Sequence, residues 1–151
     1  MTPDDRADDL LRLDRQICFS LHAATRAFNG VYRTVLKDLG LTYPQYLVML
    51  TLWEHGELPV KDIGDRLRLD SGTLSPLLKR LETAGYATRR RSEQDERSVI
   101  VSLTPDGCSL RDRAADIPLR IAHAAGLTLD QLQTLRSLLT TVTENLDEAA
   151  L

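Results

Sequence analysis

The run Leu69-Asp70-Ser71-Gly72-Thr73-Leu74-Ser75-Pro76-Leu77-Leu78-Lys79-Arg80-Leu81-Glu82 constrains the fold more than any other part of the chain. Its helical spacing sends Leu74, Leu77, Leu78 and Leu81 to one side and leaves Ser71, Gly72, Thr73, Ser75, Lys79 and Arg80 on the other. Ser71 reads as its cap and Gly85 as its stop; Pro76 lies close enough to the start to disturb few amides. A short helix from Val60 to Leu67, with Val60, Ile63, Gly64 and Leu67 inward, precedes it across the linker Arg68-Leu69-Asp70. Behind it, Tyr86 to Arg90 and Ser98 to Leu103 are strand-like runs around a polar turn at Ser92 to Glu96, which predicts a hairpin. A helix with a polar front edge followed by a basic ribbon implies a head for gripping duplex DNA, one part for each groove.

Long apolar helices flank this head. Ile17, Leu21, Ala24, Phe28, Val31 and Val35 recur at steps of four and three, so residues 8 to 38 read as one helix stopped at Gly40. Thr42 caps a helix with Pro44 in its first turn and Tyr46, Leu47, Met49, Leu50, Leu52 and Trp53 on its buried side. Thr104 and Pro105 open a helical stretch from 106 to about 124, with an interruption near Pro118. Thr128 opens the last helix, striped by Leu129, Leu132, Leu135, Leu138, Leu139, Val142 and Leu146. The expected fold is mainly α with a small β-hairpin: a winged helix-turn-helix head over residues 42–104, with helices at 8–39 and 105–147 as a dimerisation platform. Two such heads meet two half-sites of a roughly palindromic operator.

Composition sharpens this. A chain of 151 residues at 42% hydrophobic suits one domain whose core needs no disulfide or metal staple. Two cysteines make no secreted framework and have no metal-spaced companions, so no cofactor or metal is expected and a reducing cytoplasm fits. The acidic start lacks a signal-peptide pattern, and no apolar run approaches the roughly 18 residues of a membrane span. The net charge of -3 hides an uneven distribution: residues 60–97 carry nine Lys or Arg against seven Asp or Glu, and residues 98–151 four against seven. The scattered histidines His22, His55 and His123, with no glycine-rich phosphate cradle, argue against an enzyme.

In the head, small hydroxyls at Ser71, Thr73 and Ser75 reach base edges while Lys79 and Arg80 meet the backbone. Arg89, Arg90 and Arg91 lie along phosphates. Asp95 pairs with Arg97 to direct that arginine into the minor groove.

The segments from Leu41 to Glu54 and Leu69 to Glu82, with Asp95-Glu96-Arg97, resemble the multiple antibiotic resistance regulator family, MarR, and most of all its organic hydroperoxide resistance branch, OhrR. The similarity runs from about Leu13 to Leu139. It implies a dimeric winged-helix repressor, with a homodimer, double-stranded DNA, an organic hydroperoxide and a low-molecular-weight thiol as its partners.

Cys18 sits in Gln16-Ile17-Cys18-Phe19-Ser20-Leu21, where a cysteine is by default a small buried hydrophobe. Tyr32 is 14 residues on, roughly 21 Å along a continuous helix, so the two meet only if a second subunit intervenes. The resemblance matches Cys18 to the peroxidatic cysteine and Tyr32 and Tyr43 to tyrosines that hydrogen-bond its thiolate. His22 stands where some relatives carry a further tyrosine; it reads either as a donor or cation beside the sulfur, or as a polar residue at a solvated edge. Some relatives resolve the sulfenic acid with a second cysteine at a position corresponding to about His123, whereas the second thiol here is Cys108. A one-cysteine scheme trapped by an external thiol therefore fits, with Cys18–Cys108 pairing left open. Two other readings stand beside this one: a MarR-type repressor released by an aromatic or phenolic ligand with Cys18 structural, and a winged-helix module that contacts only protein.

Overall fold

Four helices open on a side chain that accepts one of their free amides, and these caps set most of the element boundaries. The computed structural model describes residues 9–151. Helix α1 spans Ile17–Val35, α2 Tyr43–His55, α3 Val60–Leu67, α4 Ser71–Thr83, α5 Pro105–Ala114, α6 Ile117–Ala125 and α7 Leu129–Ala149; the strands are β1 Leu58–Pro59, β2 Ala87–Arg91 and β3 Val99–Leu103. Thr42 and Thr128 form reciprocal capping boxes with Gln45 and Gln131. Thr104 accepts from the Gly107 amide at 3.0 Å. Asp70, not Ser71, caps α4, accepting from the Thr73 amide at 2.7 Å. Its carboxyl is held below the usual range by that bond, and a carboxylate at a helix start also complements the dipole.

The chain divides into two compact units, one ending at Ala115 and the other spanning Asp116–Leu151. In the first, β3 is the centre of a three-stranded antiparallel sheet ordered β1-β3-β2, with Leu58 opposite Val101 and Arg89 opposite Val101 on the other side. The sequence reading foresaw the hairpin and missed β1. That strand is two residues long and contains Pro59, which an edge position tolerates because its missing N–H need not face a neighbour.

The long first helix is shorter than expected. Its predicted start, residue 8, lies outside the described residues; Asp9 and Leu10 are helical, but the chain leaves the helix after them and α1 begins at Ile17 after a 3₁₀ turn at Leu13–Arg15. Gln16 is extended, and its side-chain amide donates to the Leu10 and Arg12 carbonyls at 2.7 and 2.9 Å, ending the preceding turns. Pro76 is the sixth residue of α4, in the second turn rather than the first, so it removes the bond to the Gly72 carbonyl while the helix continues to Thr83. The 106–124 stretch breaks at Ala115–Asp116, with Pro118 near the start of α6.

The core of the first unit is built from Leu36, Val48, Met49, Leu52, Ile63, Leu74, Leu78, Leu81 and Val101, all at or near zero exposure. The inward leucines of α4 match the spacing argument, each contributing about 1.5–3 kcal/mol of burial. In α2 Tyr46, Met49 and Leu52 are buried as the spacing predicts, but Val48 and Thr51 are buried as well, while Leu50 is exposed. In the second unit, α6 buries Ile117 and Ile121, whereas α7 buries nothing. No helix among the described residues is long and apolar enough to cross a membrane.

Candidate functional site

The α3–α4 turn depends on one close approach. Arg68 ends α3 with φ 57°, and the carbonyl of Leu69 comes so near Gly64 that an added Cβ would lie 2.8 Å from it. Glycine at 64 is therefore what allows the two helices to pack at this angle. Ser71, Gly72, Thr73, Ser75, Lys79 and Arg80 are all exposed along α4. Between α3, the start of α4 and the hairpin lies a cleft of about 650 Å³, lined by residues that include Lys61, Ser71, Ser75 and Arg97. A helix edge and a ribbon tip thus border one groove.

The tip is tied by its own backbone. Ser92 and Ser98 are joined by an amide-to-carbonyl bond of 2.8 Å, and the Ser98 amide donates to Asp95 at 2.9 Å. Asp95 accepts from the Arg97 backbone amide at 3.0 Å. The expected side-chain pair between Asp95 and Arg97 is not formed: the carboxylate shapes the turn through the main chain, and the guanidinium remains exposed. Arg89 donates both Nε and Nη2 to Glu82, at 2.9 and 3.1 Å. Arg90 donates to both oxygens of Glu57, at 3.1 and 3.0 Å, and Ser102 donates to the same carboxylate at 3.0 Å. Arg91 is exposed. Neither Glu57 nor Glu82 stood out in the sequence, since they lie 33 and seven residues from their arginines and no local pattern links them.

Cys18 is the second residue of α1 and is exposed, not the buried hydrophobe that is a cysteine's default in an apolar helix. His22, one turn on, is exposed as well. Cys108, on α5, is exposed and free, so the two thiols are not bonded to each other. Tyr32 and Tyr43 come together, their ring centroids 4.4 Å apart, and Tyr46 joins them at 5.9 Å from Tyr32. Trp53 extends the cluster edge-on to Tyr46 and donates its Nε1–H to the Gly107 carbonyl at 2.9 Å. Tyr46 and Trp53 were legible only as core residues of a helix; that they continue the Tyr32–Tyr43 stack required the α1–α2 packing.

Burial, then the neighbouring Tyr43 and Tyr46 rings, pushes the Tyr32 phenol up to about 12. Burial raises Tyr43 too. Both phenols are therefore O–H donors throughout the neutral range. Their hydroxyls have no hydrogen-bond partner among the described residues. Cys18 and Tyr32 lie in one helix, so their offset of 14 positions corresponds to roughly 21 Å of axial rise.

A family model described as transcriptional regulator SarA/Rot matches residues 30–113. The organic hydroperoxide resistance transcriptional regulator of Bacillus subtilis (strain 168) is 48% identical over 140 residues, covering 93% of this chain and 95% of the relative. The HTH-type transcriptional regulator TtmR of Methylorubrum extorquens (strain PA1) is 46% identical over 143 residues, covering 95% of this chain and 73% of the relative. Among solved structures, reduced AbfR bound to DNA matches with a TM-score of 0.78 at 35% identity, covering 94% of this chain and 99% of that one. AbfR of Staphylococcus epidermidis has also been solved overoxidised on DNA and with a disulfide formed.

Proposed function

Because the chain belongs to the MarR family of winged-helix transcriptional regulators, in its organic hydroperoxide resistance branch, and is a DNA-binding protein rather than an enzyme, we propose that it is a homodimeric repressor that releases its operator when an organic hydroperoxide oxidises Cys18. The observation that carries this reading is the Tyr32–Tyr43 pair: two half-buried phenols, kept protonated, whose hydroxyls have no hydrogen-bond partner among the described residues. Such donors suit a thiolate or its oxidised product. Cys18 is too far along α1 to use them within one chain, so a second subunit supplies the match. The uncovered stripe of α7, where Leu138 is 60% and Leu146 63% exposed, fits pairing through the terminal helices, as does the exposed start of α1.

In the redox step the Cys18 sulfur takes the distal oxygen of the hydroperoxide. The O–O bond breaks, and the alkoxide leaves as an alcohol with the proton the thiol gave up. The sulfenic acid then condenses with a low-molecular-weight thiol, releasing water and leaving a mixed disulfide. The added bulk and the lost phenol hydrogen bonds shift α1 and spread the two heads. On DNA, Ser71, Gly72, Thr73 and Ser75 face base edges, Lys79, Arg80 and Arg91 meet phosphates, and Arg97 enters the minor groove from the turn that Asp95 holds.

The test is operator release, followed by fluorescence anisotropy on duplex from the gene's own upstream region, with cumene hydroperoxide and a small thiol. Release is expected in the wild type and in Cys108→Ser and absent in Cys18→Ser. Peroxide-driven release that survives Cys18→Ser, or release of both proteins by a phenolic ligand alone, would overturn the redox reading and leave the regulator.

A further inference from the structure

The wing arginines fall into two kinds. Arg89 and Arg90 are each held by a carboxylate through paired short bonds, whereas Arg91 and Arg97 are exposed with no carboxylate partner among the described residues. The alternation of β2 explains the first pair, since successive side chains leave opposite faces of the strand. Arg89 points back to Glu82 in the last turn of α4, and Arg90 to Glu57, just ahead of β1.

We propose that Glu82, through Arg89, is a positioning residue for DNA binding: the pair is a brace that sets the angle between the recognition helix and the wing, and Arg89 is not a phosphate ligand. Glu57, bridging Arg90 on β2 and Ser102 on β3, is a second brace at the root of the wing. The proposal rests on the DNA-binding assignment and goes beyond it.

Charge makes the argument. A glutamate on the helix that carries Lys79 and Arg80 repels phosphate, so on electrostatics alone its loss tightens DNA binding. Geometry predicts the reverse. A two-point guanidinium–carboxylate contact fixes distance and orientation together, which a single point charge does not. The helix and the wing must enter two grooves of one duplex at once, and the chain passes from one to the other through the short turn at Gly85, so a two-point side-chain contact across that turn bears directly on their angle. Both side chains are about 30% exposed, 31% for Arg89 and 30% for Glu82, so the brace is partly screened and its effect is modest.

The experiment measures operator affinity of the full-length protein against potassium chloride concentration. Salt-dependent binding by the wild type is the control, and its absence would remove the DNA assignment itself. Glu82→Gln is expected to weaken binding about two- to fivefold with the salt slope unchanged, the size of an exposed two-point pair. Arg91→Gln is expected to lower the slope by about 0.9, one phosphate contact. Reversing the brace, Glu82→Arg with Arg89→Glu, recovers most of the affinity lost in either single change, which separates a lost brace from a misfolded head. Equal or tighter binding by Glu82→Gln, a slope drop of about 0.9 in Arg89→Gln, or no recovery in the reversed pair would each overturn the proposal.

Discussion

Replacing Gly107 with alanine tests whether α2, through Trp53, and the end of the wing meet at one incompressible joint. Gly107 is the third residue of α5; its amide is taken by Thr104 at 3.0 Å and its carbonyl by Trp53 at 2.9 Å. A Cβ there would overlap the Tyr86 carbonyl oxygen, and it would sit 3.0 Å from the Tyr86 carbonyl carbon and 3.2 Å from Leu103. The nearest obstacle is backbone, already fixed by the Thr104 amide at 3.1 Å, so no rotamer change relieves it. Helix propensity alone favours alanine by about 1 kcal/mol. Against that stand about 1–3 kcal/mol for overpacking and about 1 kcal/mol each for a strained cap and a displaced tryptophan bond. The clash wins, and Gly107→Ala is expected to lose about 2–4 kcal/mol, a Tm drop on the order of 5–15 °C. Urea and thermal melts at matched protein concentration measure it, because the stability of any oligomer depends on concentration. A midpoint equal to or above that of the wild type would mean that propensity governs and that the Tyr86–Gly107 contact yields freely.

Two further outcomes follow from the structure. Leu138→Arg with Val142→Arg places charge on the uncovered stripe of α7; the variant should sediment as a monomer with unchanged helix content and bind operator about a hundredfold more weakly, having lost two-headed binding. Hydrogen bonds from Arg90 and Ser102 hold the Glu57 carboxyl below its ordinary value of 4.5, so its contribution to stability is present above pH 4.5 and is lost as pH falls through the lower folded-state value. Urea midpoints measured down to acid pH should therefore decline less steeply for Glu57→Gln than for the wild type.

Local patterns were enough for the head. The leucine spacing of α4, the Thr42 and Thr128 caps and the two runs around Ser92–Glu96 are short-range signals, each set by neighbours within a few residues, and each appears in the structure at nearly the expected place. Errors arose where two local rules competed. Asp70 displaced Ser71 as cap because its carboxylate reaches the Thr73 amide. The side chain of Gln16 cut a helix that periodicity alone would have continued. Within α2, apolar residues lie on nearly every side, so spacing placed Leu50 inward and left out Val48 and Thr51, and packing against neighbouring elements decided otherwise.

The sequence by itself determined that a helix-turn-helix and a ribbon exist, which side of α4 is polar, and which thiols are available, since these follow from spacing and from residue chemistry. Only the tertiary structure decided that Tyr32 stacks on Tyr43, that Trp53 reaches Gly107, and which wing arginines are already spoken for. The reason is chain separation. Arg90 and Glu57 are 33 residues apart and Trp53 and Gly107 are 54 apart, and contacts at that range are set by how whole elements pack, a quantity no local run of residues carries.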